Sequence, residues 1–447
     1  MMGVTKKIKE TIRAISVNDA TAANTYFTLS ADARQKVLKT LSTHGIKSLN
    51  RLIKERKKKT FAAGNKRFLE IAQGTIATPV YLIDETLIEE NMRVLRYVKD
   101  RTGCKILHAL KAYASFATFP MMSRYLDGTC ASGLNEARLG CEEFKKEVHT
   151  FGAAYSENDI EQILKYSNTI IFNSFYQLDK YGETSVKSGV EIGLRVNPGH
   201  AEIATEMYNP CAPCSRLGIV HDVFRQKFPK HNNIVDGLHF HAMCEQNSDV
   251  LERILKSFEK LYGLYIKGLK WVNFGGGHHI TRDDYDIERL INLINNFKKK
   301  YGVQVYLEPG EASVLNAGVL ISTVLDIIDS DMEIAIIDAS SETHMPDVLL
   351  MPYRPHIMKS AQPNEKKYTY RIAGPSCLAG DIVGDYSFDK PLKRGAKLVF
   401  TDMALYSIVK STTFNGINLP DIALIRDGET IEVVKHFGYR NYRDRQS

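Results

Sequence analysis

No stretch of the 447 residues approaches the roughly twenty consecutive apolar side chains that a membrane-spanning helix needs, and the first residues lack the apolar core of a secretory signal. A cytoplasmic protein is the expectation. Cysteine is sparse: there are seven, an odd number scattered between Cys104 and Cys377, which excludes a disulfide framework and leaves reduced thiols available for chemistry. No internal repeat and no low-complexity linker interrupts the chain. What is present sits near globular averages, with 44% hydrophobic and 25% charged residues, which excludes a collagen-like or wholly disordered chain. The length exceeds what one hydrophobic core usually organises, so two or three domains are expected.

The formal net charge of +7 is unevenly spread. Residues 1–75 hold sixteen Lys or Arg against five Asp or Glu, an excess of +11, whereas residues 76–447 hold 43 against 47, a net of −4. Nothing in the main body therefore calls for a nucleic acid or other polyanion as partner. The basic segment carries Leu41, Ile46, Leu49, Leu52 and Ile53 at helical spacing, followed by Lys57, Lys58 and Lys59. It reads as a solvated helical extension, with contact to an anion, a membrane surface or nucleic acid as the alternative.

From residue 77 short apolar runs alternate with helical stretches, the pattern of β/α units. Strand candidates fall at 105–110, 127–131, 147–152, 168–172, 190–196, 236–241, 269–274 and 303–307, which makes eight. An eight-stranded β/α barrel is the economical topology, and in such a barrel chemistry sits at the C-terminal ends of the strands. After about residue 312 β-branched runs dominate, at 314–328, 333–338, 395–401 and 421–434, and Asp427-Gly428 supplies a hairpin turn. The expected organisation is a basic helical extension at 1–75, a barrel at 76–311 and a mostly β domain at 312–447, with strand 77–83 able to join the last.

Three features converge on the barrel mouth. Lys111 follows the first barrel strand in His108-Ala-Leu-Lys-Ala-Tyr113; alone it is ordinarily a solvated lysine, yet a desolvated amine there can form an imine. Gly275-Gly276-Gly277 ends the seventh strand, where glycines let backbone approach an anion or simply make a tight turn. Glu308 ends the eighth strand ahead of Pro309-Gly310. A lysine, a phosphate-cradling turn and a carboxylate at one face are the parts that hold pyridoxal 5'-phosphate, with Glu308 on the pyridinium nitrogen.

At this point the chain resembles a known family, the fold-type III pyridoxal-phosphate decarboxylases related to the ornithine and diaminopimelate enzymes. The resemblance covers roughly residues 77–440. It rests on ordered motifs: HALKAYA around Lys111, CASGLNEA (130–137), YNPCAPCSRLGI (208–219), GLHFHAMCE (237–245), WVNFGGGHHI (271–280), YLEPGEA (306–312), SSETHMPD (340–347), GPSCLAGD (374–381) and TTFNGI (412–417). SSETHMPD, GPSCLAGD and FGGGHH point to the branch acting on carboxynorspermidine and carboxyspermidine. The implied fold is an alanine racemase-like TIM barrel followed by the β domain.

The resemblance implies that Lys111 carries the cofactor, His241 stacks on its ring, Glu308 keeps the ring nitrogen protonated, and Gly275, Gly276, Gly277 and Tyr406 bind phosphate with Cys244 nearby. Cys377 and Asp381 match a segment that reaches into the partner's site in a homodimer, and Cys377 is the implied proton donor to Cα after carbon dioxide leaves. The implied products are norspermidine and spermidine, in polyamine biosynthesis. Glu245, Glu311, Glu342, Asp347 and Asp381 are the candidate partners of the substrate's ammonium groups. One departure stands out: many relatives place a phosphate-binding arginine where this chain has Glu311, so Glu311 is expected to turn toward a cationic substrate.

Other features read as structural. His278, His279 and His344 are not expected to form a metal site, since adjacent histidines on an extended chain point to opposite faces. Cys211-Ala-Pro-Cys214 lacks the second pair that structural zinc requires, and Arg216 reads as one partner of a structural ion pair, with steadying of the cofactor or Lys111 as the alternative. Three other readings remain: a racemase of the same fold, which would oppose Lys111 with a tyrosine where this chain presents the thiol of GPSC; another decarboxylase of the same fold, acting on diaminopimelate, ornithine or arginine; and a catalytically silent binding protein of the same shape. Retention of Lys111, Glu308 and Cys377 together speaks against the silent form.

Overall fold

The computed structural model describes residues 2–447, with side chains from residue 5 onward. By its contacts the chain divides into two compact units, Met1–Lys57 with Asn91–Ser313 and Lys58–Glu90 with Val314–Ser447.

In the first unit eight parallel strands close into a barrel: β2 (Lys105–Ala109), β3 (Gly128–Ala131), β4 (Glu147–Phe151), β5 (Thr169–Phe172), β6 (Glu191–Arg195), β7 (Gly237–His239), β8 (Trp271–Asn273) and β9 (Gln304–Leu307), with β1 (Val80–Asp84) lying outside it in the second unit. The eight expected strands are the eight observed. Connecting helices carry the start and stop signals their sequences advertise. In helix Ile287–Tyr301, Asp286 accepts from the Arg289 N–H at the start, and Gly302 stops it at φ +70°. Helix Ser248–Tyr262 buries a single stripe of Val250, Leu251, Ile254, Leu255, Phe258 and Tyr262.

Leu107, Ile171, Trp271 and Tyr306 pack inside the barrel. The space for the Trp271 indole comes from glycines on β6 and β7, since a Cβ at Gly193 or Gly237 would collide with it. Toward the N-terminal strand ends the interior turns polar: Lys105 pairs with Glu147, and the Tyr306 hydroxyl donates to Glu147 at 3.2 Å.

The N-terminal segment is helical, with helices Met2–Ser16, Ala22–Phe27, Ala31–Thr40 and Thr43–Gln73. Its basic residues divide into two kinds. Arg34 reaches Asp100 at 2.6 Å with both side chains 8% exposed, the Tyr26 hydroxyl donates to the same carboxylate at 3.0 Å, and Lys57 is buried against Asp283 at 3.5 Å. Lys6, Lys7, Lys9, Arg13, Lys36, Lys39, Lys47 and Arg51 are solvated. Arg34 thus docks the extension on helix Glu85–Thr102 rather than serving a polyanion. Because breaking a buried pair strands the remaining charge, Arg34→Ala is expected to cost about 3–5 kcal/mol, read as a lowered urea midpoint.

The boundary expected at 75 falls instead at Lys57/Lys58, inside a continuous helix. The reason is packing that no composition change marks: Gly64 lies against Leu87, leaving no room for a Cβ, and Arg67 pairs with Asp84.

The second unit is an eight-stranded sheet adding β10 (Gly318–Asp329), β11 (Glu333–Ile337), β12 (Tyr368–Ala373), β13 (Ile382–Phe388), β14 (Lys397–Thr401), β15 (Asp421–Arg426) and β16 (Thr430–Lys435). The order is β13-β12-β11-β10-β1-β15-β16, with β14 also on β10. β1 lies antiparallel to β10 and parallel to β15, so the strand at 77–83 belongs to this sheet. The β15–β16 hairpin turns at Asp427 and Gly428, with φ +51° and +78°, the geometry that Asp-Gly admits.

Candidate active site

Lys111 owes its place to its neighbours. β2 ends at Ala109, whose N–H donates to the Pro309 carbonyl at 3.2 Å, and the next three residues turn, with the Ala112 N–H on the Ala109 carbonyl at 3.1 Å. Buried His108 closes the turn by donating Nε2–H to the Tyr113 carbonyl at 2.8 Å. The Lys111 side chain stays exposed, and its charge perturbs Cys130, Glu136, His241 and Cys244, which places all four around the same mouth.

Glu308, at the end of β9, is 8% exposed. Asn273 donates Nδ2–H to its Oε1 at 2.7 Å, and His239 Nε2 faces its Oε2 at 3.4 Å. Burial alone would push this carboxyl up; His239, His149 and the Asn273 amide outweigh it and hold the group at about 2. The carboxylate is an anion at neutral pH. His241 is pushed well below the usual imidazole range by burial, with the charges of Lys111 and Arg195 adding to it. Its Nδ1 accepts the Gly276 N–H at 2.8 Å, which fixes the neutral tautomer with the proton on Nε2.

Arg195, ending β6, was not among the residues expected from sequence. It is buried, lies 4.5 Å over the Phe151 ring, and donates to the His241 carbonyl at 3.3 Å. The available signal was its position as the last residue of a barrel strand, the same signal that marked Lys111 and Glu308. Arg216, expected in a structural ion pair, has none among the described residues; its carbonyl accepts from Asn173 at 2.7 Å. Glu136 is a second missed residue. It accepts the Ser132 N–H at 2.7 Å, and burial raises its carboxyl beside Lys111.

The glycine turn departs from expectation in part. Gly275 and Gly277 have φ +69° and +81°, and a Cβ at Gly277 would strike the Met243 carbonyl, so the turn requires glycine. Yet the Gly275 N–H donates to Asn273 Oδ1 at 2.8 Å and the Gly276 N–H to His241, so two of the three amides expected on phosphate are committed within the protein. Glu311 is also corrected. It does not stand free for a cation: His279 Nε2 meets its Oε2 at 2.7 Å, and the two side chains are 8% and 14% exposed. Burial pushes the Cys244 thiol up to about 11, so it is a neutral neighbour of this turn.

Of the remaining expected residues Glu245 lies in the barrel unit and the others in the sheet unit, where Asp381 and Asp347 are already partnered within the protein. Asp381 is saturated: Oδ1 accepts from the Ser341 N–H at 2.8 Å and the Ser341 hydroxyl at 2.7 Å, and Oδ2 accepts from the Ser376 N–H at 3.2 Å. It braces the 374–381 loop instead of offering oxygens to a substrate. Asp347 is paired with Lys410. Glu342, by contrast, has an Oε2 that is buried without a hydrogen-bond partner, and burial together with Asp381 raises its carboxyl. Such a group gains from an incoming ammonium. Glu245 is exposed, with φ +53°. Cys377 is exposed, and its N–H donates to Asn415 Oδ1 at 2.7 Å. Tyr406 sits at φ +46°, an uncommon value for an aromatic residue that marks a constrained turn.

Buried neutral histidines make stability acid-sensitive. Burial lowers His108, His278 and His344 from 6.5 to about 4. Below pH 6.5 the unfolded chain takes up protons that the folded protein refuses until about pH 4. Stability is therefore complete above pH 6.5 and falls as pH drops from 6.5 toward 4, by up to about 1.4 kcal/mol per unit for each histidine. Urea midpoints measured across pH 4–7 check this, and a flat profile contradicts it.

The barrel residues fit pyridoxal phosphate on their own chemistry. An accessible amine, a buried carboxylate held anionic, a neutral imidazole of fixed tautomer and a glycine turn meet at one mouth. Comparison with known proteins agrees. The family model for the pyridoxal-dependent decarboxylase, C-terminal sheet domain, matches residues 17–404. Carboxynorspermidine/carboxyspermidine decarboxylase of Campylobacter jejuni is 43% identical over 82% of this chain and 98% of its own length. Carboxyaminopropylagmatine decarboxylase of Synechocystis is 38% identical over 83% and 96%. Among solved structures, carboxynorspermidine decarboxylase from Campylobacter jejuni, complexed with norspermidine, aligns with a TM-score of 0.77 at 41% identity, covering 83% of this chain and all of that one.

Proposed function

The chain belongs to the pyridoxal-dependent decarboxylase family, and from that premise we propose that it removes the Cα carboxylate of carboxynorspermidine or carboxyspermidine, giving norspermidine or spermidine in polyamine biosynthesis. The observation that carries this is the 43% identity extending over 98% of a relative of that name, with Lys111, Glu308 and His241 together at one barrel mouth. Pyridoxal phosphate, when bound, supplies an electron sink for the bond that breaks.

The residues of this chain do the rest. Lys111 would supply the amine that holds the cofactor covalently. Glu308, fixed as an anion, keeps a proton on the ring nitrogen. His241 is neutral and cannot donate Nδ1–H, so it serves as a flat, uncharged surface against the ring. Arg195 buttresses the His241 backbone from β6. Cys244 and the Gly277 end of the turn would hold the phosphate, a role the family resemblance also gives to Tyr406. Cys377 returns a proton to Cα, and Glu342 receives a distal ammonium.

By the family resemblance the protein works in the cytoplasm as a homodimer with shared sites, Cys377 serving its partner's Lys111. Mixing Lys111→Ala with Cys377→Ala protein tests this. Subunit exchange is expected to restore up to about a quarter of wild-type activity from two inactive proteins, and no restoration contradicts the shared site. The substrate class is tested by carbon dioxide release from carboxynorspermidine, carboxyspermidine, carboxyaminopropylagmatine, diaminopimelate, ornithine and arginine side by side. The third of these is included because the Synechocystis relative gives it specific weight. Turnover of diaminopimelate, ornithine or arginine alone overturns the substrate while keeping the chemistry.

A further inference from the structure

Asn273 is the last residue of β8, is fully buried, and uses both ends of its amide. Nδ2–H donates to Glu308 Oε1 at 2.7 Å, and Oδ1 accepts the Gly275 N–H at 2.8 Å. The orientation is not free to flip, because a backbone N–H can only donate: Oδ1 must face Gly275, and Nδ2 must therefore face Glu308. The other carboxylate oxygen of Glu308 is met at 3.4 Å by Nε2 of His239, the last residue of β7, which is 2% exposed. Asn273 thus hydrogen-bonds one oxygen of the carboxylate and also holds the glycine turn, while the His239 ring stands beside the other oxygen within ion-pair distance but without a hydrogen bond.

The grip continues inward. His239 packs on Phe151 at 5.7 Å between ring centroids, and the Arg195 guanidinium lies 4.5 Å from the centroid of the same ring. On β4, His149 Nε2 stands 3.6 Å from Glu147, which in turn pairs with Lys105 at the start of β2. Charged and polar groups therefore run from the barrel's N-terminal end to Glu308 at its mouth, and Glu308 is the one that faces the cofactor site.

We propose that Asn273 and His239 are positioning residues for the cofactor: together they clamp the Glu308 carboxylate, and Asn273 couples it to the Gly275–Gly277 turn, so that the ring-nitrogen partner and the glycine turn are set as one unit. This rests on the reading of the mouth as a pyridoxal phosphate site and goes beyond it by assigning two residues that the family motifs leave without a role. The chemistry of the clamp is specific. An aspartate at 273 keeps the acceptor for Gly275 but replaces the donor to Glu308 with a second carboxylate, and two carboxylates at hydrogen-bond distance share one proton. The anion that Glu308 presents to the ring nitrogen is then shared as well.

The test uses full-length holoprotein carrying Asn273→Asp, with the visible absorbance of its bound pyridoxal phosphate followed from pH 6 to 9. The wild type is expected to hold one band position throughout, whereas the variant's band shifts with pH. Cofactor affinity in equilibrium dialysis should fall roughly tenfold to a hundredfold, the scale of one charge-assisted hydrogen bond. kcat should fall by at least about tenfold with KM within about twofold, since the substrate is not touched. Should the aspartate variant fail to fold, His239→Leu removes the other grip and is expected to show the same pH-dependent band, with His239→Gln restoring it in part. A spectrum, affinity and kcat like the wild type's in whichever variant folds, with only a lowered melting temperature, overturns the proposal and leaves both residues as packing. The spectrum needs no substrate, so this failure is distinct from a failure of the proposed decarboxylation, which appears as intact cofactor binding without carbon dioxide release.

Discussion

Lys111→Ala is expected to abolish covalent attachment of pyridoxal phosphate and to cut turnover on the order of a thousandfold or more, because the one amine positioned for the cofactor disappears. The geometry makes the effect local. The turn that presents Lys111 is held by backbone bonds and by His108 on the Tyr113 carbonyl, none of which involves the lysine side chain. The variant should therefore fold with an unchanged urea midpoint, since an exposed side chain contributes little to stability. Absorbance after gel filtration checks the claim: the wild type retains the visible band of lysine-bound cofactor, and the variant does not. A retained band identifies another amine and removes Lys111 from its role.

Glu308→Gln carries the second large effect. The amide is nearly isosteric, so packing against Asn273 and His239 survives, but the negative charge is gone and a ring-nitrogen proton has no counter-ion. Decarboxylation should slow by about a hundredfold to a thousandfold, comparable to removing a group aimed at developing charge in other sites. KM should change little, because the lost interaction acts on the cofactor rather than on the substrate. Loss of the negative partner also leaves His239 without the carboxylate it faces, so cofactor affinity should weaken in parallel. Steady-state kinetics with saturating pyridoxal phosphate separate the two effects, and a variant with wild-type kcat contradicts the role assigned to the carboxylate.

Much of the fold was legible because barrel strands are short, buried on both faces and followed by helices, so each appears as an isolated apolar run. The places of Lys111 and Glu308 at the mouth were legible for the same reason: each comes just after a run ends, where a barrel exposes side chains at its mouth. Arg195 obeys the same rule, but an arginine ending a strand looks from sequence like any solvated one until closure of the barrel buries it. Asn273 and His239 look from sequence like ordinary polar residues in a strand, and only closure of the barrel brings Glu308, from β9, against them. Pairings across long separations were equally hidden. Glu311 finds His279, and Asp381 finds Ser341, so two carboxylates expected on a substrate are internal braces. The division inside helix Thr43–Gln73 was illegible because helical periodicity continues unbroken while its packing partners change.

The central claim is that Lys111-held pyridoxal phosphate serves loss of a Cα carboxylate followed by return of one proton. The most direct measurement is the mass of the product when the purified protein, loaded with pyridoxal phosphate, turns over carboxynorspermidine in deuterium oxide. The account predicts release of carbon dioxide and norspermidine carrying a single non-exchangeable deuterium at the former Cα. Deuterium entering Cα of unconsumed substrate with no carbon dioxide released would show a proton-exchange enzyme on the same scaffold, and absence of both from carboxynorspermidine and from carboxyspermidine would contradict the account.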